Sequence, residues 1–242
     1  MKRPLIGVTS DYLVSERGRP WSESACLASY ADALDGAGAI PMILPLASES
    51  FCAEAMSRLD GIILSGGADI PAEAFGEEPH PKSQPLPMER WQSERLWLDT
   101  ALKANAPILG VCLGMQVMCV AAGATIFQDI PSQCPQAGQH GNPSRKQPHE
   151  VDVVPGTMLA KMAPSSRVPI CSSHHQAVRS VPAPYVLSAT APDGIIEAVE
   201  DPTRPFVIGV QWHPERNDAQ PDWLVVSFVR HCAESMRTER RG

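Results

Sequence analysis

An apolar run, Pro107-Ile108-Leu109-Gly110-Val111, leads without a polar break into Cys112-Leu113-Gly114 and then into a helical stretch at 115–122. A strand made from such a run has no polar side, so both of its faces must be covered. That is the situation of a central strand in a parallel sheet flanked by helices. Glycines on either side of Cys112 give the pattern G-x-nucleophile-x-G, in which residues without a Cβ permit a sharp turn from strand to helix. This one stretch constrains the fold, and it places a thiol at the end of a buried strand.

The remaining chain extends that pattern. A strand at 4–9, a helix at 24–34 closed by Gly36 and Gly38, a strand at 40–44 and a buried strand at 60–65 ending on Gly66-Gly67 make the first half β-α-β-α-β. Five prolines between Pro71 and Pro87 mark a surface loop. A helix follows at 89–103, with Trp91, Leu98, Ala101 and Leu102 on one side. Beyond residue 124 the character changes to strands at 124–127, 150–154, 168–171, 185–190, 195–200 and 206–212, joined mostly by loops, so antiparallel pairing is expected there. A long loop at 130–150 and an amphipathic helix at 221–236 complete the reading. The expectation is an α/β fold over 1–242 as a single domain: a doubly wound, mostly parallel sheet with helices on both faces, plus a smaller antiparallel β element.

Net charge narrows the partners. A formal charge of −7, with only a short basic tail around Arg237, Arg240 and Arg241, would repel nucleic acid, so a small-molecule ligand is expected. No run reaches the roughly 18–20 apolar residues of a membrane span. The first residues break at glycine before a signal-peptide core forms, and a cytoplasmic location is expected. Self-association as a homodimer is left open. Seven cysteines without a CxxC pair read as reduced thiols. Zinc would need a second short-spaced pair beside Cys171, His174 and His175; none is near, so neither metal nor cofactor is expected.

An elbow would hold Cys112 at a helix N-terminus, where free N–H groups and the helix dipole favour thiolate. From the pentapeptide alone, a small packing cysteine in a tight turn is an equal reading. Cys119, two helical turns on, reads as core, as do Cys26, Cys52 and Cys232 within helical patterns. A thiolate nucleophile needs a base. His213, at the end of the 206–212 strand, stands where α/β folds present functional groups. Pro214 biases His213 toward extended backbone, in which Glu215 would point the same way and hold the ring. A surface His-Pro-Glu turn is the alternative. Gly66-Gly67 after a buried strand offers a backbone N–H for an oxyanion, with the Leu113 N–H as second donor; a mere turn is the alternative. His174 and His175 follow another strand and suit substrate contact or local hydrogen bonding; His140 and His149 stay unassigned, with substrate contact and plain solvation both open.

Taken together, Gly66-Gly67, Gly110-Val111-Cys112-Leu113-Gly114-Met115-Gln116 and Gly209-Val210-Gln211-Trp212-His213-Pro214-Glu215 resemble class I glutamine amidotransferase domains in order and spacing. Three passages look more like the γ-glutamyl-γ-aminobutyrate hydrolase branch: 66–71 with 75–79, 173–178 and 191–198. The resemblance implies a triad of Cys112, His213 and Glu215, an oxyanion hole at Gly67 and Leu113, and γ-glutamyl substrate contacts at Gly66, Gln116, Ser173 and His174. Many members of that branch carry arginine after the nucleophile, where Leu113 stands, and Arg-Asp where Arg90-Trp91 stands. The implied activity is hydrolysis of a γ-glutamyl amide through a thioester. The alternatives are a glutaminase subunit feeding ammonia to a separate synthetase and a non-catalytic binding protein of the same fold.

Overall fold

The structure is a computed structural model describing residues 2–14, 22–138, 140–141, 147–216 and 221–239. In chain order its strands and helices are β1 (Leu5–Thr9), β2 (Asp11–Val14), β3 (Ser22–Ala25), α1 (Ala28–Gly36), β4 (Ile40–Leu44), α2 (Glu49–Met56), β5 (Gly61–Leu64), α3 (Met88–Lys103), β6 (Ile108–Val111), α4 (Leu113–Ala121), β7 (Ile126–Phe127), α5 (Ile130–Gln133), β8 (Gln147–Val153), α6 (Met158–Met162), β9 (Arg167–Ser172), β10 (Ala177–Val178), β11 (Val186–Thr190), β12 (Ile196–Glu200), β13 (Val207–Val210) and α7 (Trp223–Glu239).

Nine strands form one sheet in the order β4-β1-β5-β6-β13-β12-β11-β8-β9. From β4 to β13 neighbours run parallel; from β13 to β9 they run antiparallel. The doubly wound sheet read from the sequence is therefore present, with its antiparallel strands continuing the main sheet. Two-stranded ribbons, β2-β3 and β10-β7, stand beside it. The apolar run of β6 pairs with β5 on one side and β13 on the other, and all four of its residues are buried.

The two faces of the sheet carry separate cores. One gathers Tyr30 and Leu34 of α1, Leu159 of α6, and Leu224, Phe228 and Val229 of α7. The other gathers Cys52 and Met56 of α2, Trp97 and Leu98 of α3, and Met115, Met118 and Cys119 of α4. No helix among the described residues is long and apolar enough to cross a membrane.

Four local readings are corrected. The expected helix 24–34 begins only at Ala28, because residues 22–25 pair with β2, and Cys26 lies between strand and helix. The loop expected over 130–150 holds α5, whose first turn is capped by the Asp129 carboxylate accepting from the Ser132 N–H, and its end belongs to β8. Within the proline-rich loop, Ala72–Phe75 forms a 3-10 turn. Pro214–Arg216 is also a 3-10 turn where extended backbone was expected.

Candidate active site

β6 and β13 are neighbours, so the residues after their C-terminal ends meet. Cys112 sits in the turn with φ 51° and ψ −102°, which a side-chain-bearing residue rarely adopts. What makes the turn possible is close approach. A Cβ on Gly114 would lie 2.2 Å from the Leu64 carbonyl oxygen, and one on Gly110 would lie 2.9 Å from the backbone of Gly114 and Met115. Both glycines of the elbow are therefore required by backbone packing of α4 on β5 and β6.

His213 lies against Cys112, its backbone N–H donating to the Cys171 carbonyl at 2.9 Å. Its Nδ1 is 2.8 Å from Glu215 Oε1, and both side chains are buried. The 3-10 turn, rather than extended backbone, brings the carboxylate back to the ring. Burial alone would lower the imidazole pKa. The Cys112 sulfur, within hydrogen-bonding reach, and Glu215 behind the ring outweigh burial and raise it to about 9. Gln211 adds a contact that the sequence reading did not assign: its Nε2 donates to Cys112 Sγ at 3.4 Å, while its Oε1 accepts from Gln116 Nε2 at 3.2 Å.

The expected oxyanion donors adjoin one another. Gly67 packs so tightly on Leu113 that a Cβ would come within 2.7 Å of the leucine side chain. Leu113 is the first residue of α4, so its N–H has no intrahelical acceptor. Gly66 sits beneath the pair, near His213 and Cys112, with its N–H donated to the Tyr30 hydroxyl at 2.8 Å.

A cleft of about 570 Å³ opens over Cys112 and is lined by Gly67, Gln116, Ser173 and His174, among others. Gln116 borders it with its amide nitrogen donating to the Gln176 carbonyl as well as to Gln211. His174 borders it too, but its Nδ1 is held by the Gln176 carbonyl at 2.8 Å. On the opposite side His175 Nε2 is 2.9 Å from Asp69 and its Nδ1 is 3.4 Å from Asp129, which also pairs with Lys82 at 3.0 Å. The hydrogen bond to Asp69 raises the His175 pKa despite partial burial. Asp129 is held down at about 2, since donors from Ser132, Lys82 and His175 outweigh desolvation. Asp69 stood in a passage already singled out, but the Asp129 and Lys82 partners come from separate loops and carried no local signal. Arg90 is likewise buried beside the site, between Ser65 at 3.0 Å, Asp11 at 3.1 Å and Glu94 at 2.7 Å.

Fold and residue order together define a class I glutamine amidotransferase-like protein with the character of a hydrolase. More closely, the chain belongs to the peptidase C26 family, whose pattern matches residues 4–215. It is 31% identical over 256 residues to the γ-glutamyl-γ-aminobutyrate hydrolase PuuD of Escherichia coli K12, covering 100% of this chain and 98% of that protein. With protein NtpR of Enterococcus hirae it shares 31% identity over 218 residues, covering 88% and 91%. Among solved structures, the glutaminase domain of Trypanosoma brucei CTP synthase with bound acivicin superposes with a TM-score of 0.66 at 18% identity, covering 96% of this chain and 94% of that one.

Proposed function

We propose that the chain hydrolyses the amide bond of a small γ-glutamyl amine, with Cys112, His213 and Glu215 as catalytic triad. The observation that carries this reading is the buried Cys112–His213–Glu215 line, whose Cys112 end borders a cleft with a volume that suits a small polar ligand. The Cys112 thiolate attacks the γ-carbonyl carbon, and the N–H groups of Gly67 and Leu113 receive the oxyanion. As the tetrahedral species collapses, the C–N bond breaks, the His213 imidazolium gives its proton to the leaving amine, and a γ-glutamyl thioester remains. Water then attacks the thioester carbon while His213 takes its proton; the C–S bond breaks and glutamate departs. Glu215 keeps the ring oriented and balances its charge.

Gln116, Ser173 and His174, which line the cleft, are assigned to the γ-glutamyl end, together with Gly66 beside Cys112. The polar wall of Asp69, Asp129, Lys82 and His175 supports a larger leaving group than ammonia, because it extends the cleft with charged groups able to hold an amine-bearing tail. The test offers purified protein glutamine, γ-glutamyl-γ-aminobutyrate, γ-glutamyl polyamine derivatives and γ-glutamyl peptides, and measures free glutamate. Highest kcat/KM is expected on a γ-glutamyl amine without any partner protein, and Cys112→Ala should abolish turnover. Best hydrolysis of glutamine, or activity only with an added synthetase, would replace this reading by that of an ammonia-supplying subunit.

A further inference from the structure

At the edge of the cleft three histidines from separate segments converge on one carboxylate. His140 Nδ1, His149 Nε2 and His174 Nε2 lie 3.0, 3.5 and 3.5 Å from Glu197 Oε1. One ligand-type atom from each of the four residues falls within 4.8 Å of all the others. The outer nitrogen of every ring is already directed at an acceptor that has no proton to give. His140 Nε2 faces Asp193 Oδ2 at 2.8 Å, His149 Nδ1 the Glu150 carbonyl at 3.2 Å, and His174 Nδ1 the Gln176 carbonyl at 2.8 Å. A neutral imidazole has one proton; the carbonyl acceptors place it outside at His149 and His174, and at His140, where a carboxylate faces each ring nitrogen, the shorter contact to Asp193 does the same. Three lone pairs then point inward at a carboxylate that is itself fully buried. In keeping with this, His149 Nε2, His174 Nε2 and Glu197 Oε2 have no hydrogen-bond partner among the described residues.

Protonation could relieve one such contact, at His140 between two carboxylates, but supplying all three would crowd three imidazolium ions into a buried pocket. A single divalent cation satisfies the four inward atoms at once. The three nitrogen-to-oxygen spacings of 3.0–3.5 Å fit tetrahedral zinc, whose bonds of roughly 2.0–2.1 Å set its ligands about 3.4 Å apart, and the whole set, within 4.8 Å, would draw in slightly on binding. Outer partners that fix the ring tautomer are the usual companions of metal-bound histidine.

We propose that His140, His149, His174 and Glu197 form a closed, structural site for a divalent transition metal of the zinc type. It lies apart from the Cys112–His213–Glu215 line and does not depend on the hydrolase reading; with both nitrogens of His174 engaged, that residue would meet a γ-glutamyl group only through its ring carbons. The ion would tie residue 140 to strands β8 and β12 and to the 173–176 turn. That turn carries the carbonyl that receives Gln116 and the histidine that reaches Asp69. Four protein ligands leave no open position, so the role is to hold the cleft wall in shape. The proposal departs from the absence of metal expected from sequence; the ligands come from four segments, and no two share the short spacing that was sought.

The test uses tag-free full-length Cys112→Ser protein, which removes the reactive thiol as a competing ligand, loaded with Zn(II) or Co(II) and then desalted. One equivalent of metal per chain is expected by mass spectrometry. The Co(II) form should show the visible bands of a tetrahedral ion without a thiolate charge-transfer band, and Zn(II) should raise the melting temperature. Adding Glu197→Gln should cut retained metal to about 0.1 equivalent or less. His149→Ala, at the more accessible rim, serves as second variant should the first fail to fold. Retention below that level before any ligand is changed, retention unaltered in a folded ligand variant, or a thiolate band would each overturn the site.

Discussion

Replacing Cys112 by glycine should leave a more stable protein than replacing it by alanine, although both remove the thiol. The reason lies in φ 51° and ψ −102° at this residue. A residue with a Cβ held in so sparsely populated a region costs about 1–3 kcal/mol, and ψ falls outside the left-handed helical basin as well, which argues for the upper part of that range. Alanine keeps the Cβ and with it the strain, whereas glycine relieves it. Against this stand about 0.5–1 kcal/mol for the greater freedom of glycine in the unfolded chain and up to about 0.8 kcal/mol for one buried carbon lost. The balance is about 1–2 kcal/mol in favour of glycine, a melting-temperature difference of roughly 2–8 °C for a chain of this size. Differential scanning calorimetry of the two variants measures it. Ala53→Gly, on an exposed face of α2, is the control and should lose about 1 kcal/mol. If Cys112→Gly melts at or below Cys112→Ala, the elbow is not strained and the argument from its dihedral angles fails.

Gly114→Ala should cost about 3 kcal/mol, lowering the melting temperature by roughly 6–12 °C, since the new methyl group would meet the fixed Leu64 carbonyl and not a side chain able to turn aside; an unshifted melt would contradict the close approach of α4 to β5. Limiting iodoacetamide should label Cys112 ahead of Cys119, which is fully buried and has its thiol pKa raised to about 12 by desolvation, and peptide mapping that found Cys119 modified first would reverse the assignment. Burial and the nearby Glu215 raise Asp222 to about 6, even though its carboxylate accepts from the Leu224 N–H. A carboxyl group raised in the folded state gives stability that is full below its ordinary value of 3.8 and is lost as pH rises through about 6. Asp222→Asn should therefore remove a downward stability slope between these pH values, worth at most about 3 kcal/mol, in urea titrations; an unchanged slope would refute the assignment.

What could be read before the structure depended on how local each signal was. The run 107–111 announced its place in the sheet because burial on both faces leaves no room for polar residues, and β6 occupies that place. Asp129, by contrast, enters the cleft as the N-cap of α5, just ahead of a stretch read as loop. Residues 24 and 25 looked like the start of a helix, but pairing of 22–25 with β2 outweighed local preference, as tertiary contacts often do. The meeting of His213 with Glu215 was expected from the right residues for the wrong backbone: a two-residue spacing fits an extended strand, and the 3-10 turn after Pro214 produces the same contact. Clusters such as that around Glu197 were illegible, because residues 140, 149, 174 and 197 become neighbours only after β8, β9 and β12 have taken their places in the sheet.

The order of strands also sets a schedule for the thiol during synthesis. Gln211, which donates to Cys112 Sγ, lies 99 residues farther along the chain, and β13 must slide between β6 and β12 before it or His213 can reach the sulfur. Contacts separated so widely are entropically costly and form late. A nascent chain that has delivered the elbow but not yet residue 213 from the ribosome thus holds a cysteine without its histidine. On the proposed triad, activation of that cysteine waits until most of the sheet can close around it.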